Sequence, residues 1–250
     1  DHQTWLSWCT GYASWLLAQQ QTVGGFPRRF SFPDGSVIDS SPTMSTRVLP
    51  FLATLAQTTG DRSYLEPAIR AMNFLWEDHQ KHGVFVGGTQ DNPNIIDKEG
   101  ATCAMESYVS LYRLTGESSW IERAQVAADI AATWMYVWEV PMPSGDPGMH
   151  WRSGRTTIGL NIAHTGDSLC DQYLAFHPYE YGLLWKVTRD PYYLQIAALC
   201  LFNSKVMVDM GDLGLAFPGI QQEHWSVAPQ RGRGVWSHWN VFPTVAHLTG

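Results

Sequence analysis

Thr59-Gly60-Asp61-Arg62-Ser63-Tyr64-Leu65 recurs as Thr115-Gly116-Glu117-Ser118-Ser119-Trp120-Ile121 and, with arginine in place of glycine, as Thr188-Arg189-Asp190-Pro191-Tyr192-Tyr193-Leu194. Each copy stands between two stretches whose apolar residues follow helical spacing. Gly60 and Gly116 supply the left-handed backbone that ends a helix. Asp61, Glu117 and Asp190 put a carboxylate at the positive end of the next helix. Arg189 departs from the glycine rule, while Pro191 suits a first helical turn. A helix-turn-helix unit repeated at this scale cannot bury its apolar face alone, so the repeat predicts an all-α helical array.

Outward from these turns, the periodicity predicts eight helices at 4–21, 43–59, 62–80, 100–116, 118–137, 169–188, 190–210 and 236–248. Short turns join the second to the third, the fourth to the fifth and the sixth to the seventh. Long connections fill 22–42, 81–99, 138–168 and 211–235. Long loops without secondary structure are uncommon unless they carry function. In an antiparallel helical ring the short turns share one end, so the four long loops are expected to converge on the opposite rim.

Composition narrows the classes. Of 250 residues, 44% are apolar and 16% charged, which describes a globular chain with a sizeable core. A net charge of −7, with no basic run longer than Arg28-Arg29, argues against nucleic-acid or anionic-membrane partners. No stretch approaches the roughly 18 apolar residues of a membrane span. The first residues lack a signal peptide's basic start and apolar run, and since a processed signal leaves no trace the compartment stays open. The four cysteines, Cys9, Cys103, Cys170 and Cys200, form no CxxC pair and fall in stretches read as helical, so buried free thiols are expected. The chain holds 12 Trp, 10 Tyr and 10 Phe. Several lie in polar, glycine-rich loops, where flat apolar faces beside hydrogen-bonding groups suit sugar rings. No GxSxG elbow, P-loop or dinucleotide-binding glycine motif occurs, and no cofactor is expected.

Two loop segments sharpen the picture. Gly87-Gly88-Thr89-Gln90-Asp91-Asn92-Pro93-Asn94 leads to Asp97-Lys98-Glu99, and Gln221-Gln222-Glu223-His224-Trp225-Ser226 leads to Pro229-Gln230-Arg231-Gly232. With the repeated turns, they resemble the six-hairpin, (α/α)6-toroid carbohydrate-active enzymes over nearly the whole chain. The resemblance implies one toroid domain over 1–250. Six hairpins need twelve helices and eight are read here. Ala246-His247-Leu248-Thr249-Gly250 looks like the hairpin turn starting once more. The expectation is therefore a partial toroid, a segment of a longer polypeptide or an arc closed by another subunit.

The scaffold serves hydrolases, lyases and epimerases alike. The favoured expectation is a glycoside hydrolase on an oligo- or polysaccharide, with uronic acids among the candidate sugars. One carboxylate protonates the glycosidic oxygen and the other acts as base or nucleophile. Asp97 and Glu223, from two long loops, are the first candidates, with Asp91 the substitute if Asp97 is only a helix cap. Asp97 and Glu99 precede a helix whose inward face carries Cys103, Glu106 and Ser110, and the helix's positive end favours their ionised forms. Plain capping by Asp97 is the alternative. Glu223 beside His224 suits a general acid held by its neighbour, with Trp225 stacking on a ring. Arg231 and Arg233, with glycine between them, suit a substrate carboxylate. Asn92, Asn94, Gln222, His238 and Trp239 complete the candidate contacts.

His164 and Asp167 join them from His164-Thr165-Gly166-Asp167-Ser168, where Asp167 is read as an N-cap with Asp171 four residues on along the same face. No Ca²⁺ or Zn²⁺ ligand spacing is present there, so no metal is assigned. The 22–42 loop offers Arg28, Arg29, two aromatics and Asp39 as rim contacts, or Asp39 and Ser41 as caps. A lyase or uronate epimerase, using His224 as base and Arg231, Asn92 and Asn94 around the acid group, is the second expectation. A non-catalytic carbohydrate-binding or scaffolding array is the third.

Overall fold

The computed structural model describes residues 2–88, 94–145, 150–162, 169–171, 177–212, 219, 221 and 224–227. It divides into two compact units, 1–130 and 131–250. Among the described residues the first holds α1 (His2–Leu17), a short hairpin of β1 (Arg29–Phe30) and β2 (Val37–Asp39), α2 (Leu49–Thr59), α3 (Leu65–Asp78), α4 (Lys98–Thr115) and most of α5 (Ser118–Ala132). The second holds β3 (Leu169–Asp171), α6 (Pro178–Thr188), α7 (Pro191–Met207) and β4 (His224–Ser226). Single 3₁₀ turns, Thr43–Arg47 and Arg62–Tyr64, lead into α2 and α3.

The repeated turn is built the same way three times. Thr59, Thr115 and Thr188 each donate their hydroxyl to the carbonyl four residues back, on Leu55, Leu111 and Leu184. Each hydroxyl also accepts from the backbone N–H two residues on, at Asp61, Glu117 and Asp190. Between them sits the left-handed residue, Gly60 at φ 73°, Gly116 at φ 74° and Arg189 at φ 63°. Asp61 then caps through Ser63 N–H and Asp190 through Tyr192 N–H. The third turn thus keeps its geometry without glycine, because the threonine and aspartate bonds hold the backbone there. A left-handed side-chain-bearing residue costs about 1–2 kcal/mol. Exchanging Arg189 for glycine removes that strain but loosens the unfolded chain and gives up the guanidinium's stacking on Trp185. The expected net result is a gain of about 0.5–1 kcal/mol, read as a melting temperature a few degrees higher.

The core of the first unit lies between α2, α3 and α4. Leu49, Leu52, Leu55, Met72, Leu75, Met105 and Leu111 are buried there at helical spacing. Tyr108 of α4 anchors the aromatic side of this core. It stacks on Trp120, meets Trp76 edge-on and donates its hydroxyl to Gln80 Oε1 at 2.5 Å. Arg123 lies over both tryptophan rings and donates to Asn73 Oδ1 at 2.7 Å. In the second unit α6 packs along α7.

Several sequence expectations change. The helix expected over 169–188 begins only at Pro178, and residues 169–171 form β3, antiparallel to β4. Asp171 is therefore paired with His224 in a strand ladder where a helix was expected, and Asp167 lies outside the described residues. The buried Cys170–Trp225 pair explains the strand: both residues fill the core from one side of a two-stranded ladder. Cys170 is accordingly in a strand, and Cys9 is exposed on α1 where a buried thiol was expected; Cys103, Cys170 and Cys200 are buried, and none of the four forms a disulfide. The helices expected to reach 80, 137 and 210 end at Asp78, Ala132 and Met207. The helix expected at 236–248 lies outside the described residues. No helix among the described residues is long and apolar enough to cross a membrane.

Candidate active site at the start of helix four

Asp97 stops the backbone before α4 in extended geometry and caps it, Oδ1 accepting from Gly100 N–H at 2.5 Å. Its side chain is fully buried. Two backbone links close the loop ends over it: Val86 bridges Ile96, and Gly87 N–H donates to Ile95 carbonyl at 3.2 Å. Gly88 is pressed so closely onto this corner that a β-carbon there would enter the backbone of Glu99 and Gly100 and come to 2.5 Å from Asp97 Oδ1.

Arg47, at the end of the 3₁₀ turn before α2, reaches into the same corner. Its Nε and Nη2 donate to the Gly88 carbonyl at 3.2 and 2.5 Å, and Nη2 also meets Glu99 Oε2 at 2.8 Å. The turn is fastened to α4 independently by Ser107, whose hydroxyl donates to Thr46 carbonyl at 2.8 Å. Glu99, Cys103 and Glu106 follow at i, i+4 and i+7, one stripe of α4. Burial pushes the Cys103 thiol up to about 12, with the Arg47 charge opposing. Burial likewise holds the Glu106 carboxyl above its ordinary 4.5, again opposed by Arg47. The stripe therefore offers a carboxyl that stays protonated above the usual range, a paired carboxylate and an inert thiol.

The remaining candidates are placed as follows. Asn94 is exposed in the turn before α4. Trp225 is fully buried, edge-on to Trp151 at 5.3 Å, with the Arg152 guanidinium 5.3 Å from its ring. It has no face open to a sugar. His224 lies in β4 opposite Asp171. Asp91, Asn92, His164, Asp167, Gln222, Glu223, Arg231, Arg233, His238 and Trp239 lie outside the described residues. In the 22–42 loop, Phe26 is core and Arg28 is ion-paired to Asp39 at 3.1 Å. Among the described residues no group of three His, Cys, Asp or Glu side chains is placed to hold a metal ion.

Arg47 was invisible as a site residue because the sequence shows it only as a lone arginine in a polar stretch. Glu106 carried a signal, its seven-residue spacing from Glu99, but no reason to outrank the loop acids.

No protein-family model and no curated protein sequence matches the chain. Solved structures do. The chain shares with them a helical-hairpin, (α/α)-toroid fold, and spans part of it. A D-mannose isomerase aligns at TM-score 0.57 and 18% identity, over 88% of this chain and 55% of its own. A GH76 alpha-mannanase of Bacteroides thetaiotaomicron aligns at 0.56 and 15%, over 95% and 59%. An unsaturated glucuronyl hydrolase of Streptococcus agalactiae aligns at 0.57 and 13%, over 92% and 52%. The chain thus spans little more than half the length of these structures, and at such identity the likeness is one of fold.

Proposed function

We propose that the chain is part of a carbohydrate-active enzyme, a glycoside hydrolase acting on an oligo- or polysaccharide. The observation that carries this reading is the α4 stripe, where the Glu106 carboxyl, its proton affinity raised by burial, stands one turn from a thiol and two from an arginine-paired carboxylate. The fold shared with two sugar hydrolases and a sugar isomerase supports the substrate class. In this reading Glu106 is the general acid, Glu99 binds sugar hydroxyls, and Asp97 holds the corner in shape. The companion carboxylate is Asp91, just before the same helix, with Glu223 the other candidate.

A panel of polysaccharides, assayed for new reducing ends, tests the class. Glu106→Gln is expected to lower kcat by about 10²–10⁴, the usual worth of a general acid. The wild-type rate falls on the alkaline side as Glu106 loses its proton, above the ordinary glutamate value, and the variant lacks that limb. The same shift sets a sign for stability. The protonated carboxyl is favoured in the folded state, so its contribution is full below the unfolded value and is lost as pH rises through the folded one. Glu106→Gln flattens that slope in a melting-temperature series.

A proton transfer of the lyase or epimerase kind is the second reading, favoured by Arg47 beside the same carboxyls. An ultraviolet-absorbing product, or sugar interconversion without new reducing ends, would replace the hydrolase.

For a partner, we propose further helical hairpins, from the same polypeptide or another subunit, seated on α1. That helix carries no Asp, Glu, Lys or Arg and exposes Trp5 (55%), Trp8 (68%) and Tyr12 (53%). Cys9 shares this helix and is exposed, so a maleimide is expected to label one thiol per native chain, and Cys9→Ser to abolish it. Protection of Cys9 in the natural assembly supports the partner, and undiminished labelling there removes it.

A further inference from the structure

We propose that Arg47 is a positioning residue: by gripping the Gly88 carbonyl and the Glu99 carboxylate together, it locks the approach of the 85–88 backbone to α4 and sets the geometry of the Glu99–Cys103–Glu106 stripe. The proposal rests on that stripe being the site.

Three observations carry it. First, the two acceptors come from different segments, and Nη2 alone meets both, at 2.5 and 2.8 Å. Nε joins Nη2 on the Gly88 carbonyl at 3.2 Å, so the carbonyl is held by two donors in a fixed plane, whereas a lysine ammonium is one compact, rotatable point of charge. Secondly, the strand end that Arg47 grips has no slack. Gly88 lies against Glu99, Gly100 and Asp97 with no room for a β-carbon, and Gly100 itself lies close to Val86 and Phe85 backbone. A shift of Gly88 therefore moves the cap and the first turn of α4 with it. Thirdly, the arginine's own base is rigid, because its 3₁₀ turn is tied to α4 by Ser107 and lies against α3 and α4. The guanidinium adds a side-chain strut to the backbone bonds, Gly87 N–H to Ile95 carbonyl and Asp97 N–H to Phe85 carbonyl, that already tie this backbone to the residues before α4.

Charge alone predicts something different from positioning. Arg47 faces Asp97, Glu99, Cys103 and Glu106, so any cation at its place lowers the Glu106 carboxyl's affinity for protons. Only arginine also holds the Gly88 carbonyl in register.

Arg47→Gln and Arg47→Lys separate the two. Hydrogen exchange is followed at the Gly87 and Gly100 amides, which are bonded to Ile95 carbonyl and Asp97 Oδ1, and the Glu106 titration is read by carbon NMR of its carboxyl. In Arg47→Gln both amides are expected to exchange at least about tenfold faster and the Glu106 midpoint to rise. In Arg47→Lys the midpoint returns toward wild type while the amides stay fast. Amides as slow in lysine as in wild type, or unchanged in glutamine, overturn the positioning role. If Arg47→Gln does not fold, Glu99→Ala removes one anchor and keeps the other. Faster Gly100 exchange then supports the strut and unchanged exchange overturns it. Neither readout uses activity: amides loosened in the variants, beside a wild type that cleaves no glycan, keep the strut and remove the hydrolase, and the reverse pattern does the opposite.

Discussion

Replacing Gly88 with alanine is expected to destabilise the first unit by about 3 kcal/mol or more. The added methyl has no free volume to enter. It meets the backbone of Glu99 and Gly100 and the capping oxygen of Asp97, and backbone cannot rotate aside as a flexible side chain would. Overpacking a core commonly costs about 1–3 kcal/mol, and a clash with main-chain atoms lies at the upper end. Relief requires the Gly88 strand to retreat, which breaks its carbonyl's bond to Arg47, or Asp97 to release Gly100 and uncap α4. A lost cap alone is worth about 1 kcal/mol. Chemical denaturation followed by circular dichroism reads the loss. A midpoint unchanged by Gly88→Ala would mean that this corner is loose, and the argument for a built site at α4 would fail with it.

The second large effect is expected at Trp225→Ala. Its indole is fully buried in the second unit against Trp151 and beneath Arg152. Truncating a buried tryptophan costs about 3–5 kcal/mol, from lost burial and the cavity left behind. Arg152 also caps α7's end, donating to Val206 and Val208 carbonyls at 2.8 and 3.1 Å while paired with Asp212, so losing the ring loosens that helix terminus. A residue that stacks on sugar predicts the reverse pattern, weaker binding with stability intact. The expected result is a much lower denaturation midpoint whatever ligand is present.

Trp225 illustrates what the sequence could and could not say. A tryptophan among Gln, Glu and His looks like a residue at a wet surface. The strand pairing of 169–171 with 224–226 turned it inward, and nothing local announces a pairing across more than fifty residues. The same long-range event removed the expected start of the sixth helix. The repeated turns were legible for the opposite reason, since every bond that closes them spans four residues or fewer. Even Arg189, a departure from the glycine rule, follows the pattern because Thr188 and Asp190 are present. At the site, the cap at Asp97 and the inward stripe of Cys103 and Glu106 were readable from helical spacing. Arg47 was not, because its partners Gly88 and Glu99 lie 41 and 52 residues away.

That contrast in range orders the folding of the chain. Turns closed by neighbours form as soon as their few residues are free to move, whereas contacts across dozens of residues wait for loop closure. On a ribosome, α2–α3, α4–α5 and α6–α7 are each complete as hairpins shortly after their threonine turns emerge. The Arg47 strut, which needs Glu99, follows the synthesis of α4, and the Trp225 ladder comes later still. Nascent chains halted near residue 80 are therefore expected to hold helix without the α4 corner, and the cell must shield the apolar faces of finished hairpins until their neighbours arrive.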